Sequence, residues 1–136
     1  MKNLKLYSII LLPLLTSCMD VSDSRCIATS NKSKNSIYCF YLEHELNKMD
    51  GLPKYSFPPH ETKDNEDDCN LIIKPRWEEY IKTCDNQKIR YYIIKKDSVD
   101  KYGWETIFRK NIYNKKYLFK IEDLDSLNWT ITYDGD

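Results

Sequence analysis

Five cysteines, two histidines and a scatter of carboxylates are the residues whose types could do chemistry in this chain. Cys18 stands directly behind an apolar run, while Cys26, Cys39, Cys69 and Cys84 follow at wide spacing. An even set of four in an exported domain points to two disulfides, with three connectivities open. If Asn31 to Lys34 is a hairpin loop, Ser30 opposes Asn35 and counting outward sets Cys26 opposite Cys39. Cys69 would then join Cys84. Zinc is a competing reading, but no Cys-x-x-Cys pair or nearby histidine supports it. Four buried free thiols are the third reading.

The remaining reactive residues form no recognised constellation. His44-Glu45 opens a His-Glu-x-x-His pattern, yet Lys48 stands where the second ligand is needed. His60 sits beside Pro58 and Pro59. Each histidine reads as a surface or internally satisfied one. No serine lies in a Gly-x-Ser-x-Gly elbow. Gly51, Gly103 and Gly135 are the only glycines, too few and too scattered for a phosphate loop. The acidic run Asp64-Asn65-Glu66-Asp67-Asp68 lacks the glycine and spaced ligands of a calcium loop, so it reads as solvated. Glu78, Glu79 and Glu105 could supply the acid and base of a glycan hydrolase, but nothing in their spacing pairs them. No catalytic residue, no metal and no cofactor is indicated.

Cys18 has a stronger context. Lys2 and Lys5 form a short basic start, and Leu6 to Leu15 is an apolar run with no charge before Cys18. A bilayer-spanning helix needs about 20 apolar residues. A run of about ten fits the core of an export signal instead. The tetrapeptide Leu15-Thr16-Ser17-Cys18 then resembles the lipobox of bacterial lipoproteins. That resemblance implies that the Cys18 thiol accepts a diacylglyceryl group, that residues 1–17 are removed, and that the acylated Cys18 becomes the new N-terminus. Two or three acyl chains anchor stably, because each buried methylene contributes about 0.8 kcal/mol. Met19, not Asp, follows the cysteine, so the outer membrane is the expected address by the enteric sorting rule. Residues 18–25 read as a lipidated tether and residues 26–136 as one globular domain.

Composition narrows the partners. The precursor carries 21 basic and 21 acidic residues. Loss of Lys2 and Lys5 leaves the mature chain slightly acidic, which argues against nucleic acid. A domain of this size can bury about two-thirds of its unfolded surface. The eleven tyrosines fall mainly in apolar segments, where they serve as core.

The elements follow from periodicity. Cys26–Thr29 and Ile37–Leu42 read as strands. Residues 47–68 form a long loop rich in proline and acid. Leu71–Lys74 is a short strand stopped by Pro75, and Trp77–Thr83 one or two helical turns. Ile89–Lys95 is the strongest strand, and within it Tyr91, Tyr92, Ile93 and Ile94 run without alternation, as in a central strand buried on both faces. Asp97 reads as an N-cap with Asp100 in an imperfect capping box, opening a helix over about 98–109. Gly103 weakens that helix by about 1 kcal/mol. Tyr117–Ile121 alternates, Asp123–Leu127 suggests a helical turn, and Asn128–Tyr133 reads as a half-buried antiparallel strand with Trp129, Ile131 and Tyr133 inward. The class is α+β, mainly β: a small antiparallel sheet or sandwich with one helix packed on it, a parallel crossover between Ile89–Lys95 and Tyr117–Ile121 being the alternative.

Tyr91-Tyr92-Ile93-Ile94, Tyr102-Gly103-Trp104-Glu105-Thr106-Ile107 and Asn128-Trp129-Thr130-Ile131-Thr132-Tyr133 together resemble small lipoproteins of Bacteroidales-type bacteria. The resemblance covers about residues 88–134 and implies an address and a fold without an activity. The four inner cysteines depart from it. It also implies O-glycosylation at Asp-Ser followed by an aliphatic residue, which Asp97-Ser98-Val99 and Asp125-Ser126-Leu127 both match. The plainer reading is that Ser98 and Ser126 begin helical turns. Three function classes follow: an envelope binding or accessory protein with a protein partner, a structural envelope component, and a small cell-wall hydrolase. The lack of a catalytic signature favours the first.

Overall fold

In the computed structural model, which describes residues 23–49, 57–71 and 76–135, the unalternating run at 89–95 lies at the centre. It is strand β5 of a four-stranded antiparallel sheet. The strands are β2 (Ile37–Leu42), β3 (Glu61–Thr62), β5 (Ile89–Lys95) and β6 (Lys115–Phe119), in the order β3-β2-β5-β6. Residues 89–94 are all buried because both faces of this sheet are covered. Cys39, Tyr41, Ile89, Tyr91 and Ile93 face one core, while Phe40, Leu42, Tyr92 and Ile94 face a second.

Helix α2 (Lys96–Lys110) and a 3₁₀ turn at Leu46–Lys48 close the second face, contributing Ile107, Phe108 and Leu46. The helix expected at 98–109 is there, but its start differs. Lys95 is the N-cap and no side chain caps the turn. The N–H of Lys95 donates instead to Asn114 Oδ1 at 2.7 Å. Asp97 is therefore not the cap. It lies in the first turn, where its charge suits the helix dipole. Asp100 pairs with Lys96 Nζ at 2.7 Å rather than closing a capping box. Gly103 interrupts the helix at φ 71° and ψ 155°, a conformation essentially confined to glycine.

The first face is covered by α1 (Trp77–Thr83), α3 (Ile121–Ser126) and a second sheet of three strands. That sheet orders β4 (Asp67–Leu71), β1 (Cys26–Asn31) and β7 (Thr130–Tyr133) as β4-β1-β7. β5 and β6 pair antiparallel, so no parallel crossover joins them. β7 keeps the expected alternation, with Ile131 and Tyr133 buried and both threonines exposed. It nevertheless pairs parallel to β1, not antiparallel. Its start is also later than expected, because Asn128 and Trp129 hold left-handed backbone at φ 48° and 57° and end α3 in a tight turn. Part of the acidic run, expected as loop, is strand: Asp67 and Asp68 pair with Ser30 and Thr29 at the sheet edge.

The hairpin between Cys26–Thr29 and Ile37–Leu42 does not form. The two strands belong to different sheets, and the chain turns a corner between them. Buried Asn31 holds that corner. Its Oδ1 accepts from Ser33 N–H at 3.0 Å and Ser33 Oγ at 2.7 Å. Its Nδ2 donates to the carbonyls of Asn35, Thr62 and Lys63 at 2.8, 3.2 and 3.0 Å. Such local side-chain bonds compete with a regular hairpin ladder.

The cysteine pairing changes with the corner. Cys26 is bonded to Cys69, with Cα atoms 5.6 Å apart, and Cys39 and Cys84 are buried free thiols. Neither Cys26–Cys39 nor Cys69–Cys84 exists. Antiparallel pairing sets Cys69 opposite Ala28, on the outer face that Cys26 shares. Cys39 points the other way, into the core. The leader, Cys18 and residues 72–74 of the short strand expected at Leu71–Lys74 lie outside the described residues.

Candidate functional site

Helix α1 buries Trp77, Tyr80 and Ile81, an i, i+3, i+4 stripe. Its other side presents Glu78 and Lys82. Nearby, α3 buries Leu124 and packs Ile121 against the same core, leaving Glu122 outward. Between the two helices and the turn at Asp85–Gln87 lies a cleft of about 370 Å³. Ile81 and Ile121 supply its apolar lining. Glu78, Lys82, Lys120 and Glu122 bring charge, and Asn86 and Gln87 bring amides. The turn is unusual: Asn86 and Gln87 both hold left-handed backbone, at φ 56° and 52°. Asparagine tolerates this region readily, whereas glutamine does so less often. The hydrogen bond from Gln87 N–H to the Cys84 carbonyl, at 2.9 Å, holds the turn closed.

One wall of the cleft is tied to the start of the domain. Arg25 Nη2 lies 2.7 Å from Glu78 Oε1 and 2.6 Å from Asp23 Oδ2. Its guanidinium also sits over the Trp129 ring, 4.6 Å from the centroid. Trp77 adds two bonds: its Nε1–H donates to the Arg25 carbonyl at 2.9 Å and its backbone N–H to Asp23 Oδ2 at 3.2 Å. Residues 23–25, read from sequence as the last of the tether, are thus latched onto α1 and the turn before β7.

A second polar cluster closes the opposite face of the large sheet. Glu45 accepts from Arg90 Nε at 3.0 Å, Lys116 Nζ at 3.1 Å and the Tyr92 hydroxyl at 3.0 Å. Arg90 also donates to the Glu43 carbonyl at 2.9 Å, and His44 Nδ1 lies 2.9 Å from Asp85 Oδ1.

These contacts set protonation. The Arg25 hydrogen bond holds Asp23 well below the usual carboxylate range and also lowers Glu78. Burial alone would raise Glu45, but the hydrogen bonds from Arg90, Lys116 and Tyr92 outweigh it and the net direction is down. The His44 hydrogen bond lowers Asp85. Burial pushes the Cys39 and Cys84 thiols up to about 12, so both are protonated at neutral pH and neither is an activated nucleophile.

A pH dependence follows. Carboxylates depressed on folding stabilise the fold fully above their unfolded values near 4, and that contribution is lost as pH falls through the folded values. Urea midpoints should therefore be insensitive to these four groups between about pH 6 and 8 and fall steadily below about pH 4. A midpoint unchanged from pH 7 down to about pH 3 would contradict the assignment.

The other residues singled out by sequence are scattered. Glu78 and Glu79 lie on α1 and Glu105 on α2, which pack on opposite faces of the large sheet, so the structure does not bring them together as an acid–base pair. Glu105 faces Arg109 at 3.8 Å. Ser126 is exposed at the end of α3, its Oγ donating to the Glu122 carbonyl at 2.7 Å, and Ser98 is half-buried in the first turn of α2. His60 is exposed. Among the described residues, no group of three or more His, Cys, Asp or Glu side chains is arranged to hold a metal ion. Sequence reasoning missed Arg25, Lys82, Lys120 and Arg90. Arg90 had a readable signal, as the one charge inside the apolar run 89–94. The other three had none, being ordinary surface charges until the fold places them.

No family model, no curated protein and no solved structure matches this chain.

Proposed function

We propose that this chain is a lipid-anchored protein of the bacterial cell envelope, held at the outer membrane by acylated Cys18, and that its domain is a non-enzymatic binding module. The observation that carries the address is the ordered sequence of basic start, apolar run and Leu15-Thr16-Ser17-Cys18. The latch at Asp23 and Arg25 agrees with it. An anchor at Cys18 would set Asp23 at most about 18 Å along the chain from the lipidated residue. The binding reading is preferred to a glycan hydrolase built on Glu45 or Glu78. A glycan hydrolase needs a carboxyl kept protonated near neutral pH, whereas Glu45 and Glu78 are both shifted the other way.

The test is phase partitioning after expression in a bacterium. The wild-type chain should enter the detergent phase of a cloud-point extraction and incorporate labelled palmitate. Cys18→Ser should stay aqueous and unlabelled. Equal partitioning of the two would end the lipoprotein reading. Co-purification of the lipidated chain with a reproducible protein partner tests the binding reading separately.

A further inference from the structure

We propose that the cleft between α1 and α3 binds a small ligand carrying both a carboxylate and an ammonium group, of the free amino-acid or short-peptide class. The inference rests on the reading of the domain as a binding module and names what it would take.

The charges of the cleft carry the argument. Of its two carboxylates, Glu78 is engaged by Arg25 at 2.7 Å, a guanidinium it shares with Asp23 at 2.6 Å. Glu122, Lys82 and Lys120 have no ion-pair partner among the described residues. Two lysines and one glutamate without an ion-pair partner among the described residues therefore line one cleft. A lining that carries both signs of charge suits a ligand that does too: the lysines are there for a carboxylate and Glu122 for an attached ammonium. A neutral sugar would use none of the three charges, and a dianion would leave Glu122 opposed to it.

Size and rigidity agree. A cavity of about 370 Å³ is at the small end of ligand pockets and suits one or two amino-acid residues. Ile81 is only 4% exposed and anchored in the core, so the apolar lining is fixed before a ligand arrives. The Asn86–Gln87 backbone is left-handed on the cleft wall, an uncommon conformation for Gln87, and both residues are exposed there. Strained backbone of this kind clusters at ligand sites.

The test uses the full chain, isotope-labelled and in dodecyl maltoside micelles, titrated with L-alanyl-L-alanine to about 20 mM, enough to populate a millimolar site. Amide shifts should concentrate at Ile81, Lys82, Gln87 and Ile121. Lys82→Ala and Lys120→Ala should each weaken binding by about 2–5-fold, the worth of one exposed charge pair. Both lysines are exposed, so neither change disturbs the core. The dipeptide amide, lacking the carboxylate, and the N-acetyl dipeptide, lacking the ammonium, should each bind more weakly than the zwitterion. Shifts that are absent, or that fall outside the cleft, overturn the proposal. So does a dipeptide amide that binds as tightly as the free acid. Because phase partitioning of Cys18→Ser reads the anchor independently, a failed titration would reject this ligand class without touching the envelope address.

Discussion

Replacing both Cys26 and Cys69 by alanine should lower the unfolding free energy by about 3–4 kcal/mol, the loop-closure value for a crosslink of this span. The two residues are 43 apart in sequence, and the bond restricts the unfolded chain between them. The native fold should survive the change. β4 keeps its antiparallel ladder to β1 from Ser30–Asp67 to Cys26–Leu71, and Asn31 still stitches the corner. The loss should therefore appear as a shifted urea midpoint with little change in the native spectrum. Thiol labelling gives an independent check. Cys39 and Cys84 should resist alkylation in the folded chain and react only on unfolding, while Cys26 and Cys69 should react only after reduction. An unfolding free energy that falls by less than about 1 kcal/mol would show that the crosslink does little to the unfolded state. Labelling of Cys26 without reduction would contradict the pairing itself.

Trp77→Ala should be the most damaging single substitution on the first core, at about 3–5 kcal/mol. Trp77 is fully buried, and its ring lies 5.1 Å from Tyr41 and 5.5 Å from Trp129, centroid to centroid. Truncation leaves a large void and also strands the Arg25 carbonyl that its Nε1–H had satisfied. Since domains of this kind are stable by only about 5–15 kcal/mol in total, the variant should be partly unfolded near body temperature. Trp77→Phe separates the two contributions. It keeps an aromatic ring in the core but removes the indole N–H, so it should cost less than alanine while still loosening residues 23–25. Hydrogen exchange at Arg25 and Ala28 would report that loosening. If alanine and phenylalanine cost the same, packing is not what Trp77 supplies. If exchange at Arg25 is unchanged in the phenylalanine variant, the latch does not depend on the indole bond.

The latch and the cleft share Glu78, and that sharing gives the first face of the fold its internal logic. Arg25 joins the segment that leads toward Cys18, the wall of the cleft, and Trp129 at the entry to β7. Three parts of the chain far apart in sequence are thereby referred to one guanidinium. Arginine suits that position better than lysine, because its planar fork can serve two carboxylates and stack on an aromatic face at once.

The sequence by itself determined the elements whose signal is local. The unalternating run at 91–94, the alternation at 130–133, the helical stripe of Trp77, Tyr80 and Ile81, and the helix around Ile107 and Phe108 all follow from side-chain periodicity, which needs no knowledge of the partner element. Only the tertiary structure decided what pairs with what. Strand β7 alternates equally well whether its neighbour runs parallel or antiparallel, and the choice was made by where α3 delivers the chain beside β1. Cys26 could count across to Cys39 only if Asn31 opened a hairpin. The buried Asn31 side chain instead bound the Asn35, Thr62 and Lys63 carbonyls and turned the chain into a second sheet, next to Cys69. The cleft was invisible for the same reason. Lys82, Lys120 and Glu122 are common surface residues, and only the docking of α1 beside α3 on one core brings them to the lining of one cleft.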